Sequence, residues 1–262
     1  LNKPESGQGM SMGILDGRVA IVTGGGQGVG RGIALALSGA GASVVVCGRT
    51  AETLAGVRDE IEQRGGKALH LVCDITRAAD RERLIEATLE AFGAINILIN
   101  NAALVPHGSL LDIGEDTIAA AWATGPLASL QLMRLCHPHL KGDGAIVNVS
   151  SGAAIANSVP GRGIYAAVKA ALNAISRSAA VEWGPDGIRV NTIMPVALTD
   201  PFERFMANEP EQAQAVVSAI PLRRVGDCET DIGSAVLFLV GPDARYLTGA
   251  TIPLDGGTAY LR

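Results

Sequence analysis

The sequence predicts an α/β protein, a doubly wound parallel sheet of seven strands with helices on both faces, in a single domain. Three observations carry the prediction. Seven short apolar runs recur along the chain, stretches of helical character separate them, and each run is continuously apolar instead of alternating. Continuously apolar strands separated by helices are what a parallel sheet covered on both faces requires.

The first run, RVAIVT at 18–23, leads into TGGGQGVGRG at 23–32 and the helical stretch IALALSGAGA. SVVVC at 43–47 comes next, followed by AETLAGVRDEIEQRGG, whose closing glycines suit a helix stop. ALHLVCD at 68–74 precedes the helical DRERLIEATLEAFG, and INILINN at 95–101 and AIVNVSS at 145–151 continue the series. IRVNTIMP at 188–195 and ATIPLDGG at 250–257 complete it. All seven runs are expected to be buried strands. Residues 196–220 break the rhythm and are expected to form a substrate lid, where Phe202, Phe205 and Met206 line an apolar pocket or pack on the domain. No linker, repeat or low-complexity stretch divides residues 13–262. Residues 1–12 have no signal-peptide zones, and translation could start at Met10 or Met12, so they are expected to be a flexible tail or an appended remnant.

Composition excludes several function classes. The chain has 262 residues and a formal net charge of −5, with no local run of Lys and Arg, which gives a nucleic acid backbone nothing to bind. No stretch reaches the ~20 apolar residues of a membrane helix. A soluble, cytoplasmic protein is expected. Cys47, Cys73, Cys136 and Cys228 form no CxxC pair and read as buried thiols, while His137 and His139 are two apart and diverge on a helix, so no metal site is expected.

In open sheets of this class ligands bind beyond the carboxyl ends of the strands, where strand order reverses. The loop after the first strand fits TGxxxGxG through Thr23, Gly24, Gly28 and Gly30, with Val29 where GxGxxG would need its third glycine. Glycine lets a phosphate approach backbone amides at the positive end of the following helix. No Lys followed by Ser or Thr closes the loop, which excludes an ATP-type P-loop. The second strand ends in Gly48 and Arg49 with no acid before Glu52. An arginine there suits the extra phosphate of NADP(H), whereas a carboxylate would suit NAD(H), which stays possible if Arg49 is only a solvated side chain.

YAAVK at 165–169 sets Tyr165 and Lys169 four apart on a helix, with their polar tips in one place. An ammonium beside a phenol favours the phenolate, so the pair is a candidate acid and base. A hydroxyl from Ser151, at the end of the fifth strand, could orient a substrate oxygen.

These motifs, in this order, resemble those of the short-chain dehydrogenase/reductase family, in its subgroup of roughly 250 residues. TGGGQGVG resembles the cofactor loop, with Gln27 where some NADP-using members have a basic residue. CDIT carries Asp74 and Ile75 where the family contacts adenine, and NNAA, with Asn101 and Ala102, resembles the NNAG that lies along the cofactor. IVNVSS, YAAVK and the final DGG complete the match. The resemblance implies a Rossmann fold, and a homodimer or homotetramer built through the helix of Tyr165 and the last strand. That helix is small or apolar on more than one face, which fits burial against another subunit. It also implies a small carbonyl or alcohol substrate, proton transfer by Tyr165, a Lys169 that lowers the pKa of Tyr165 and holds the nicotinamide ribose, and a Ser151 that fixes the substrate oxygen. A 3-oxoacyl thioester is one possible substrate.

Several positions depart from the family pattern. Trp122 stands where many members have an Asn, Ser150 rivals Ser151, and Pro195 is followed by Val196, with Thr199, the expected contact to the nicotinamide amide, one place early. No arginine in the sequence singles itself out as a partner for a substrate carboxylate or phosphate. An NAD-dependent enzyme, an epimerase of the same superfamily and a non-enzymatic dinucleotide sensor are the alternatives.

Overall fold

A computed structural model describes residues 13–156 and 160–258, so the expected tail at 1–12 lies outside the described residues. Seven parallel strands form one sheet in the order β3-β2-β1-β4-β5-β6-β7. They are β1 (Val19–Thr23), β2 (Ser43–Gly48), β3 (Lys67–Val72), β4 (Ile97–Asn100), β5 (Gly144–Val149), β6 (Ile188–Pro195) and β7 (Thr251–Leu254). The chain runs outward from β1 through β2 to β3, then returns to β4 on the other side of β1. This reversal sets the carboxyl ends of β1 and β4 side by side.

The helices are α1 (Gly28–Gly39), α2 (Ala51–Gln63), α3 (Ala78–Phe92), α4 (Glu115–Trp122), α5 (Ala128–Leu140), α6 (Gly163–Trp183), α7 (Asp200–Asn208), α8 (Pro210–Ala219) and α9 (Ser234–Val240). Alternate residues of each central strand enter two separate cores. Ala20, Val22, Val44, Val46, Ile97 and Ile99 pack with α1, α2 and α9. Ile21, Val45, Leu98 and Ile146 pack with α3, α5 and α6 on the opposite face. Period two with both faces covered is why these strands read as unbroken apolar runs.

Two strands correct the expectation of seven buried ones. β3 and β7 are the sheet edges, where a neighbour is missing on one side, and they are only partly covered; Val72 is 46% exposed. Between α4 and α5 the chain kinks through Ala123–Leu127, where Gly125 leaves helical geometry and Pro126 removes a backbone donor. Gly125 lies against Val168, the neighbour of Lys169. The expected lid takes shape as α7 and α8, with Phe202 and Phe205 stacked edge to face at 5.8 Å and Met206 exposed.

Candidate active site

The strand reversal assembles the cofactor side of the site. Asn101, just beyond β4, donates from Nδ2 to the carbonyls of Thr23 at 2.9 Å and Gly24 at 3.1 Å, locking the glycine loop to β4. Thr23 Oγ1 in turn accepts from the amides of Asn101 and Ala102. Gly24 and Gly28 have positive φ of 62° and 51°, a region that disfavours other residues. Thr199, the N-cap residue of α7, faces the loop; a methyl on Gly28 would lie 3.2 Å from its Cγ2.

The amino terminus of α1 fits an anion. Gln27 provides no side-chain cap, no acidic residue stands in the first turn, and the amides of Gly28, Val29 and Gly30 have no acceptor among the described residues. Uncapped amides at the positive end of a helix suit a pyrophosphate. At the far end Arg49 is exposed and makes no ion pair or hydrogen bond among the described residues. The Thr76 hydroxyl and amide, and more weakly the Arg49 charge, hold the Asp74 carboxyl below its ordinary range. Ile75 is buried beside it. These residues fit a dinucleotide laid from Thr199 across the glycine loop to Arg49.

The chemistry-bearing side chains converge where β5 meets α6. Ser150 is buried and donates to the Lys169 carbonyl at 3.3 Å. The Ser151 hydroxyl is the one that acts on the Tyr165 phenol, and its Oγ accepts from Ala153 N. Lys169 is 4% exposed; its Nζ donates to the Val149 carbonyl at 2.6 Å and lies 5.8 Å from the Tyr165 ring centroid. The arrangement separates the two serines: Ser150 anchors helix α6, and Ser151 faces the phenol.

Below them runs a buried polar ladder that sequence reasoning missed. Asn100 donates to Asn148 Oδ1 at 2.8 Å, and Asn148 donates to Ser176 Oγ at 2.7 Å, tying β4, β5 and α6 together under the site. Buried hydrogen bonds of this kind help to fix a register, although Asn100 Oδ1 itself finds no partner among the described residues. Asparagines at neighbouring strand ends are the signal that could have found it.

Electrostatics correct one expectation. Burial pushes the Tyr165 phenol up, against smaller downward effects from the Ser151 hydroxyl and the Arg162 charge, whereas the sequence suggested that Lys169 would pull it down. Burial also depresses Lys169 to about 8, so its ammonium is itself weakened. A group whose folded pKa lies below its unfolded value of 10.5 binds fewer protons when folded through that interval. Stability therefore rises with pH from about 8 towards 10.5 on its account. The buried thiols act oppositely, since Cys136 stands near about 12 and Cys228 near about 11, so they lose stability above the ordinary thiol range. The clean readout is a difference. Urea unfolding at several pH values is expected to show Lys169→Met closest to, or above, the native protein below pH 8, with the native protein gaining on it by ~2–3 kcal/mol by the upper end of the interval. A constant difference would show that Lys169 does not titrate in that interval.

Trp122 ends α4 and is 43% exposed, and it makes no ring contact or side-chain hydrogen bond among the described residues. All four cysteines are buried, and the neighbouring Cys73 thiol, with burial, pushes the Cys47 thiol up.

The chain is similar to known proteins over nearly its whole length. The family model described as enoyl-(acyl carrier protein) reductase matches residues 24–259. A 12α-hydroxysteroid dehydrogenase of a Clostridium species is 38% identical over 255 residues, covering 94% of this chain and 98% of that protein. A tropinone reductase homologue of Arabidopsis thaliana is 35% identical over 258 residues, covering 97% and 95%. The crystal structure of a short-chain dehydrogenase from Burkholderia cenocepacia in complex with NADP superposes with a TM-score of 0.86 at 33% identity, covering 93% of this chain and 98% of that one. Order of strands, glycine loop and sequence agree: the chain belongs to the short-chain dehydrogenase/reductase family, enzymes that act on CH–OH groups with NAD(P).

Proposed function

We propose that this chain interconverts a secondary alcohol and a ketone, using Tyr165 as acid and base and preferring NADP(H) to NAD(H). The meeting of Ser151, Tyr165 and Lys169, with the Ser151 hydroxyl acting on the phenol and Lys169 Nζ 5.8 Å from its ring centroid, carries the reading. Two hydroxyls on one point suit a carbonyl oxygen, which accepts one hydrogen bond from Ser151 and takes a proton from Tyr165. In oxidation Tyr165 takes the hydroxyl proton instead. The nicotinamide, when bound, supplies or accepts the hydride. Thr23, Gly24, Gln27, Gly28, Val29, Gly30, Asp74, Ile75, Asn101, Ala102, Pro195 and Thr199 would line the dinucleotide, and Lys169 would hold its ribose. Burial of Tyr165 keeps its phenol protonated at neutral pH, the form that reduction consumes.

Arg49 supports the preference for NADP(H), because an unpaired guanidinium at the end of β2 matches the 2′-phosphate. The relatives named for a hydroxysteroid and for tropinone support a ring-borne alcohol or ketone. The exposed small residues of α6 and the half-covered β7 would pack against a second copy in a homodimer or homotetramer.

Steady-state rates with NADPH and NADH against a panel of cyclic ketones and 3-oxoacyl thioesters test this. Arg49→Ala is expected to raise KM for NADPH about tenfold or more while leaving NADH nearly unchanged. Equal losses with both cofactors would remove Arg49 from phosphate recognition.

A further inference from the structure

Arg162 is the N-cap residue of α6, three residues ahead of Tyr165, and its charge acts on the Tyr165 phenol. Among the described residues its Nε is buried without a hydrogen-bond partner and its guanidinium makes no ion pair. A desolvated donor left unpaired costs about 1–3 kcal/mol, more when it is charged, which favours a bound group that supplies the missing acceptor.

Among the described residues the surroundings supply no counter-charge. The loop after β4 passes over this end of α6: Gly108 N donates to the Gly161 carbonyl at 3.0 Å, and a methyl on Gly163 would meet Leu110 Cδ2 at 2.7 Å. The ionisable groups of that loop are His107 and Asp112, and Asp112 is engaged by Ser109. Leu104, Val105, Leu110, Leu111 and Ile155 are exposed along the same loop and beyond Ser151. An apolar rim with one free guanidinium beside the phenol describes a ligand with a greasy body and an anionic group.

We infer that Arg162 binds an anionic substituent of the substrate, so that the enzyme acts on apolar oxo acids or hydroxy acids in preference to neutral ketones. The planar fork of arginine pairs best with a carboxylate, through two parallel hydrogen bonds. This rests on the reading of Ser151 and Tyr165 as the reacting end of the site. Arg162 then sets which substrate end lies beside the phenol and is a specificity residue, with no part in proton transfer.

The test uses an oxocyclohexanecarboxylate, a polycyclic oxo acid and the methyl ester of each, as substrates with NADPH and as ligands by calorimetry with NADP present. The native protein is expected to favour acid over ester by about tenfold or more in kcat/KM. Arg162→Gln is expected to abolish the preference through KM for the acids, leaving the esters unchanged, and Arg162→Lys to recover part of it. Equal kcat/KM for acid and ester in the native protein overturns the inference. So does a loss in Arg162→Gln that falls on kcat for acids and esters alike, which would make Arg162 a tuner of Tyr165. Acid binding that needs Arg162 but leads to no turnover keeps the inference and contradicts the redox reading of the site. Turnover blind to charge does the reverse, and neither binding nor turnover across the set contradicts both.

Discussion

Tyr165→Phe is expected to lower kcat for carbonyl reduction by about 10²- to 10⁴-fold, the range in which a positioned acid contributes. The change deletes one oxygen from a half-buried ring and leaves the cation and serine around it in place. Cofactor affinity and thermal midpoint should therefore stay close to those of the native protein, and only the chemical step should fail. The pH profile adds a second readout. Reduction needs the neutral phenol, so its rate should hold through neutral pH and fall on the alkaline side as Tyr165 ionises; oxidation should rise over the same interval. A variant that retained native kcat would remove Tyr165 from proton transfer.

Gly30→Ala has the next largest expected effect, and it strikes binding instead of chemistry. A methyl there would stand 2.3 Å from the Gly24 carbonyl oxygen and 2.5 Å from Asn101 Nδ2. The first contact is with backbone, so the loop itself must move. Overpacking of this kind costs about 1–3 kcal/mol of stability. A displacement near 1 Å at the cofactor loop is expected to weaken dinucleotide use by on the order of hundredfold. Gly56→Ala is the matched control, because nothing lies within 4 Å of a methyl at that point in α2. It should bind the dinucleotide normally and gain about 0.4–1 kcal/mol from a stiffer unfolded chain. Fluorescence titration with NADPH and urea unfolding of both variants separate the two outcomes.

The sheet was legible because its central strands are buried on both faces, and that condition writes itself into the sequence as unbroken apolar runs. The edges were misread for the same reason: an apolar run does not say whether a neighbour covers both of its sides, and β3 and β7 have one neighbour each. Tyr165 and Lys169 could be paired on the page because a helix makes a spacing of four into a contact. Asn148 and Ser176 could not, since their hydrogen bond joins a strand to a helix across a separation no local pattern encodes. The direction of the Tyr165 shift was hidden likewise, because burial is its largest cause and burial belongs to the assembled fold. Nothing in the sequence singled out Arg162, because the enclosure of its Nε, unpartnered among the described residues, belongs to the assembled fold.

The most direct test of the central claim follows the label from NADPH deuterated at the reactive carbon of the nicotinamide into the product of a cyclic ketone, by mass spectrometry. The account predicts an alcohol with one deuterium on its carbinol carbon for each NADPH consumed, and none with Tyr165→Phe over the same time. A protein that binds NADPH tightly and yields no labelled alcohol from any ketone in the panel would contradict it, and would make the Rossmann fold here a sensor of the dinucleotide.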